Sequence, residues 1–303
     1  MDSNSLLYAM ELVAGSGHTL TVEEKTVLCT SLVILKKNFK FNRVLFWGKI
    51  LGFKNDYFIA QGRGEDEMQD QKYLYSFNCM DWYLLPPATD SMIQEVFKAA
   101  KGRFMGDPSY VYEDVEIQRK GEGEEAIAEE LVVSDAFILM YSKWIVYICY
   151  KKICVLVQIK VTEENRLAAT VYQIDQEVSV VPRGAFIKSP HELVQVNLSF
   201  GGLTYSEAGK LDNFLHFTKK KNMKKKSILE MADLNPVMDF MDLLSDDIPK
   251  GSWHLRFECA NRVCVIRSHL WLGLTFYHIP MTPQHGYIYI GDGTRNLDLP
   301  FML

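Results

Sequence analysis

Four histidines, His254, His269, His278 and His285, crowd into the C-terminal part of the chain. Four neutral imidazoles are enough to build a metal site. These, however, are scattered over strand-like runs and a proline-bracketed loop, a distribution that favours surface or hydrogen-bonded histidines. The six cysteines include two pairs, Cys149/Cys154 and Cys259/Cys264, each with four residues between its members. That is not the C-x-x-C spacing of a zinc knuckle or a redox pair. Residues five apart on a strand point to opposite faces, so Cys259 and Cys264 do not converge on one ion. Buried, reduced thiols are the expectation. "GSGHTL" at Gly15 has two glycines of a dinucleotide loop, but it lacks the third and follows a helical pattern, which reads as a helix C-cap. "HEL" at His191 has no second histidine four residues on, and neither a Walker lysine nor a G-x-S-x-G elbow occurs. The residues therefore nominate no catalytic, cofactor-binding or metal-ligating position, and no cofactor.

The elements that would position any such chemistry begin with helices. Leu6, Leu7, Met10 and Val13 share one helical face that ends near Gly15, and Thr21 with Glu24 forms a capping box before Val27, Leu28, Leu32 and Leu35. The chain thus opens with a helical hairpin. The same box recurs at Thr204/Glu207 before "LDNFLHF" and at Ser227/Glu230 before "ILEMADL", and Pro236 suits the first position of a further helix through Leu244. Most of the rest reads as strand: "RVLFWGKILGF", "DYFIAQG", "KYLYSFNCMDWYLL", "AATVYQI", "VSVVPRGAFI", "SWHLRFECANRVCVIRS" and "GYIYIGDG". Because strands follow strands, the predicted fold class is α+β: a mixed, largely antiparallel sheet with the N-terminal helical hairpin and further helices in the C-terminal half.

Composition bounds the function class. A chain of 303 residues, 48% hydrophobic and 23% charged, buries a real core as one large domain or two smaller ones. A net charge of -5 spread over both signs gives no general attraction to nucleic acid or to anionic lipid. The N-terminal stretch "MDSNSLLYAMELVAG" has an acid at position two and no basic region before its apolar residues, the pattern of an amphipathic helix rather than a signal peptide. The concentrated charge is "KKKNMKKK", Lys219 to Lys226, which reads as a solvated loop or as a contact for an acidic surface.

Aromatic residues are the conspicuous feature. Trp82, Tyr83, Phe104, Tyr110 and Tyr112 stand beside glycine and proline, as do the rings of "SHLWLGLTFYH" and "GYIYIGDG". Such side chains serve equally as core and as interface anchors. Trp253, Trp271, Phe276, Tyr277, Tyr287 and Tyr289 are expected to divide between the two.

Several long irregular stretches, "RVLFWGKILG", "DYFIAQG", "LPPATDSM", "KGRFMGDPSY", "VPRGAF", "FMDLLSDDIPKGSW", "IRSHLWLGLTFYH" and "NLDLPFML", resemble the radial spoke head protein nine family of motile cilia and flagella. The resemblance runs over nearly the whole chain. It implies a non-enzymatic subunit of the axonemal radial spoke head, in cytoplasm and cytoskeleton. The spoke relays mechanical signals between the central pair and the dynein-bearing doublets. "VIRSHLWLGLTFY" with "YIYIGDG" is also similar to the C-terminal part of the sister spoke-head subunits of the four and six types. Those subunits are therefore the implied partners, with the central pair met indirectly and neither nucleic acid nor membrane among the partners. The chain departs from the family pattern at Leu272, where proline is expected in "LWPG", in its more basic lysine tract, and over Val133 to Gln158, which has no counterpart.

That last stretch, "VSDAFILMYSKWIVYICYKKICVLVQ", is the most hydrophobic window. A membrane-spanning helix needs about 20 apolar residues, and Lys143, Lys151 and Lys152 interrupt this one. A buried strand pair, "AFILMY" and "WIVYICY", is a second reading. The third comes from the genetic code. An intron opening GT(A/G)AGT translates in frame as Val-Ser, and a pyrimidine-rich run closed by CAG translates as residues such as "CVLVQ". The expected organisation is one radial-spoke-head-like domain over residues 1–303, interrupted at 133–158 by a non-native insert from a retained intron or a gene-model error. Two other classes stay open on the residues alone: an enzyme or metal-binding protein of unrecognised class, and a membrane-associated protein that uses the 133–158 segment.

Overall fold

The computed structural model describes residues 1–2, 5–17, 19–119, 154–220 and 235–302. The helical hairpin forms as predicted from α1 (Leu6–Val13) and α2 (Val22–Asn38). The Thr21 hydroxyl accepts the Glu24 amide at 3.2 Å, and the Glu24 carboxylate accepts the Thr21 amide at 2.7 Å, so the box satisfies two donors that the first turn leaves open. Gly15 lies in a 3-10 turn after α1 that Gly17 ends in the left-handed region (φ 84°), which is a helix terminus and not a phosphate loop.

Eight strands make the main sheet: β1 (Arg43–Ile50), β2 (Tyr57–Arg63), β3 (Gln71–Ser76), β4 (Tyr83–Leu84), β11 (Trp253–Glu258), β12 (Val263–Ser268), β13 (Leu274–His278) and β14 (His285–Gly291). Their spatial order is β11-β12-β13-β14-β1-β2-β3-β4. Each half is an antiparallel meander built from chain neighbours, and the halves join through one parallel pair, β1 with β14, in the register Gly48 to Tyr289. Gly48 sits at a bulge with φ 154°, and a Cβ there would run into the Tyr289 carbonyl, so only glycine lets the two strands close. Alternation along the strands gives the sheet two apolar faces. One face packs α1 and α2 through Leu6, Met10, Leu28 and Leu32 against Phe46, Phe58, Val265 and Ile288. The other packs α4 (Glu163–Val178) through Leu167, Val171, Ile174 and Val178 against Trp47, Tyr57, Phe276 and Tyr289.

Between the halves, α3 (Asp90–Ala99) precedes a two-stranded ladder of β5 (Val111–Arg119) and β6 (Cys154–Thr162), which runs straight into α4. After α4 come β7 (Val180–Pro182), β8 (Phe186–Lys188), β9 (Val194–Val196), the one-turn helix α5 (Tyr205–Ala208) and β10 (Phe214–His216), paired as β7 with β10 and β8 with β9. A last turn, α6 (Leu299–Met302), ends the described chain. The α+β class and the largely antiparallel sheet agree with the sequence reading.

Four expectations are corrected. "AATVYQI" is not a strand but the middle of α4. Thr162 caps that helix, Glu163 and Glu164 complement its N-terminus, and the large buried apolar residues Leu167, Val171, Ile174 and Val178 recur every three or four positions, which outweighs the local β-branched content. The Thr204/Glu207 box forms, yet the helix stops after one turn at Gly209, and Phe214–His216 goes into strand pairing with β7. Pro236 starts no helix. Residues 236–238 make a single turn closed on the Asn235 carbonyl, after which Arg183 grips Asp239 at 2.6 and 2.7 Å and Leu243 bridges to Leu215, before a 3-10 turn at Leu244–Asp246. Finally, all six C-terminal aromatics named above are buried, so they belong to the core and do not divide between core and interface. The Ser227/Glu230 box, Lys221–Lys226 and residues 133–153 lie outside the described residues. Cys154 to Gln158 of the hydrophobic stretch form the first part of β6, opposite Val115 to Arg119. Among the described residues, no helix is long and apolar enough to cross a membrane.

Candidate interaction surfaces

The histidines do not converge. His254 and His269 face each other across β11 and the end of β12 with ring centroids 6.3 Å apart, whereas His278 and His285 are opposite one another on β13 and β14. Among the described residues, no three His, Cys, Asp or Glu side chains gather to hold a metal ion. The thiols divide by position. Burial pushes Cys79 and Cys264 up to about 12, which leaves them protonated and unreactive, while Cys259, expected buried, is exposed at the β11–β12 hairpin tip with φ 53°. His191 is exposed.

Two buried carboxylates on α4 were not singled out by the sequence. Glu163, with no exposed surface, accepts from Tyr57 Oη (2.7 Å), Tyr112 Oη (2.5 Å) and the amides of Met105, Gly106 and Asp107 (2.7, 2.6 and 3.0 Å). Burial pushes this carboxyl up, but the donated hydrogen bonds outweigh it and hold the group below its ordinary value. One turn on, Arg166 donates to the Arg103 and Gly102 carbonyls and stacks over Phe104 and Tyr112. Asp175 accepts from Trp47, Gln61, Tyr73 and Tyr287. These groups clamp α4 to the sheet and to the 102–112 loop. The only sequence signal for them was the acidic first turn after Thr162, since Asp175 finds its donors on four strand positions remote in the chain.

A carboxylate–imidazole pair also occurs. His216 Nε2 lies 2.9 Å from Asp247, and Asp247 accepts the Trp253 indole N–H at 2.6 Å. Among the described residues no hydroxyl or thiol hydrogen-bonds to His216. It borders a hollow of about 620 Å³ that Glu177, Asp242, Trp253 and Arg295 also line.

What the fold does expose is apolar surface and sheet edge. A second hollow, about 720 Å³, lies between α2 and the 80–83 stretch and is lined by Val27, Ile34, Phe39, Met80, Trp82 and Tyr83. Of the five loop aromatics, Phe104 is core, Tyr112 is tied to Glu163, Trp82 is half-buried, and Tyr83 and Tyr110 are exposed. Leu272, at the expected proline position, is 59% exposed. The sheet ends at β4, only two residues long, and at β11, six residues long. Lys219 and Lys220, which begin the basic tract, are exposed.

Comparison with known proteins identifies the family. The profile of the family described as Radial spokehead-like protein matches residues 2–130. The chain is 57% identical to the radial spoke head protein 9 homolog of Danio rerio, 48% to that of Homo sapiens and 49% to that of Bos taurus, each over the whole of both chains. With identity of that order from end to end, the chain belongs to the radial spoke head protein 9 family.

Proposed function

We propose that the protein is a non-enzymatic structural subunit of the radial spoke head, required for head assembly and for regulation of ciliary and flagellar motility. Its family is axonemal, a component of motile cilia and flagella. The full-length identity to the radial spoke head protein 9 homologs carries this reading. The side-chain chemistry supports it: the buried acids Glu163 and Asp175 are consumed by bonds that hold α4 in place. Sister spoke-head subunits of the four and six types are the partners we infer, with the central pair engaged only through the assembled head. We also propose that the chain acts as one radial-spoke-head-like domain over residues 1–303, interrupted by a non-native segment at 133–158.

Removal of the protein should leave cilia present but beating abnormally, with incomplete spoke heads in electron tomograms. Complete heads in its absence would refute the assignment. Stoichiometric zinc in the purified protein would redirect attention to a metal-dependent activity.

A further inference from the structure

We propose that the outer edge of β11 is a strand-docking site, where a neighbouring spoke-head subunit adds an extended segment with carboxylates opposite His254 and Arg256 and apolar side chains beside Leu255 and Phe257. The inference rests on the spoke-head reading above and names the surface and the chemistry of its partner.

The geometry starts from one hydrogen bond. The His269 amide donates to the Ser252 carbonyl at 2.9 Å, and the ladder continues in the register Trp253 to Ser268 through Glu258 to Val263. Because antiparallel pairs alternate, the backbone groups of His254, Arg256 and Glu258 turn inward to β12, and those of Trp253, Leu255 and Phe257 turn outward. β11 ends the sheet, and among the described residues no hydrogen bond reaches the outward N–H or C=O groups of these three. Edges are commonly blunted by shortness, as β4 is with its two residues. β11 is instead long enough to offer three donors and three acceptors to an added strand.

The side chains state what that strand must carry. Trp253 is buried, and Leu255 and Phe257 are half-buried beside the α4-side core, so apolar residues on the incoming strand would extend an existing core. On the opposite face His254 and Arg256 are exposed, with Arg267 across from His254. Arg256 and Arg267 both turn to the single carboxylate of Glu258, so that two guanidiniums share one negative charge. Antiparallel pairing with a second copy would set His254, which brings no carboxylate, opposite Arg256 when centred on Leu255, and Arg256 opposite Arg256 when centred one residue on. Like charges directly opposite are destabilising, which disfavours self-association and selects a different chain bearing acids.

Residue-resolved amide exchange on the free chain and on isolated spoke heads tests this. In the free chain the amides of Leu255 and Phe257 should exchange faster than those of His254 and Arg256, and in the head they should slow by about tenfold or more. Unprotected Leu255 and Phe257 amides in heads that contain the chain overturn the docking site while leaving the spoke-head reading intact. Absence of the chain from isolated heads overturns both. A photo-crosslinking residue in place of His254 should capture a different spoke-head subunit, and capture of a second copy of this chain overturns the choice of occupant. Arg256→Gln, which removes the charge without setting a second carboxylate beside Glu258, should keep a melting temperature close to that of the wild type yet weaken recovery with spoke-head subunits by about tenfold. Undiminished recovery of the folded variant counts against the proposal.

Discussion

The carboxylate of Asp175 on α4 accepts a 2.6 Å hydrogen bond from the indole N–H of Trp47 on β1, 128 residues away in the chain. The same oxygen accepts Tyr287 Oη at 3.0 Å, while its partner oxygen takes Gln61 Nε2 at 2.8 Å and Tyr73 Oη at 2.5 Å. Four donors from four strand positions thus meet one buried acid, and the meeting point fixes the helix over the sheet. Burial pushes this carboxyl up from its ordinary value, and the hydrogen bonds and Arg63 oppose that push.

Asp175→Asn places an amide N–H₂ where two donors already point, and should destabilise the protein by about 3 kcal/mol in urea unfolding. Trp47→Phe removes one donor and costs less, about 1–2 kcal/mol. A double-mutant cycle should return a coupling of about 1 kcal/mol between them. An Asp175→Asn variant as stable as the parent would show that the cluster is not a structural clamp.

Stability should fall on mild acidification through His278. Its Nε2 accepts the Leu203 amide at 3.1 Å and its Nδ1 sits 3.0 Å from the Gln284 carbonyl, a pairing that suits the neutral ring protonated at Nδ1. A second proton would point at the Leu203 N–H, and burial accordingly pulls the group from 6.5 to about 4. The folded value lies below the unfolded one, so the unfolded chain binds more protons between these limits. The contribution is complete above pH 6.5 and is lost as pH falls towards 4. At pH 5 the loss is about 2 kcal/mol. Chemical denaturation from pH 7 to 5 should show this slope, and His278→Gln should reduce it, the remainder falling to the opposite imidazole of His285, which burial also lowers to about 4. A parent profile without slope would contradict the buried neutral imidazole.

The aromatic residues can be sorted by burial. Phe276 and Tyr289 are fully enclosed, so alanine at either should cost about 3–5 kcal/mol and lower the melting temperature sharply. Tyr83, 52% exposed, should tolerate alanine within about 0.5 kcal/mol. Differential scanning calorimetry of the three variants checks the order, and a destabilised Tyr83→Ala would mean that the β4 end carries core weight.

Deleting Val133 to Gln158 joins Val132 to Ile159, the strand residue opposite Asp114. The new neighbour of Ile159 is then valine preceded by leucine, and both suit a strand. Shortening the connection changes closure entropy only as about 1.5 RT ln n. The deletion should leave the fold intact and raise solubility, because it removes an apolar, cysteine-bearing segment. Genomic DNA should read GT at the start of the Val133 codon and AG at the end of the Gln158 codon. If those dinucleotides are missing, or if the shortened chain fails to fold, the segment is genuine structure.

Much of the local structure was written in the chain. The Thr21/Glu24 box, the Leu6-to-Val13 face and the β11–β12 hairpin around "ECANRV" each depend on neighbours a few residues apart, and side-chain period and capping chemistry act at that range. Tertiary structure decided the rest. Whether "AATVYQI" became strand or helix depended on Leu167, Val171, Ile174 and Val178 finding one apolar sheet face to cover. Whether Trp253 or Tyr289 was anchor or core depended on α4 arriving above them. Which strands end the sheet depended on β1 pairing in parallel with β14 across most of the chain's length. Burial and long-range pairing are properties of the assembled layers, and residue types and spacing constrain them only loosely, because an aromatic or β-branched side chain is equally suited to several such positions.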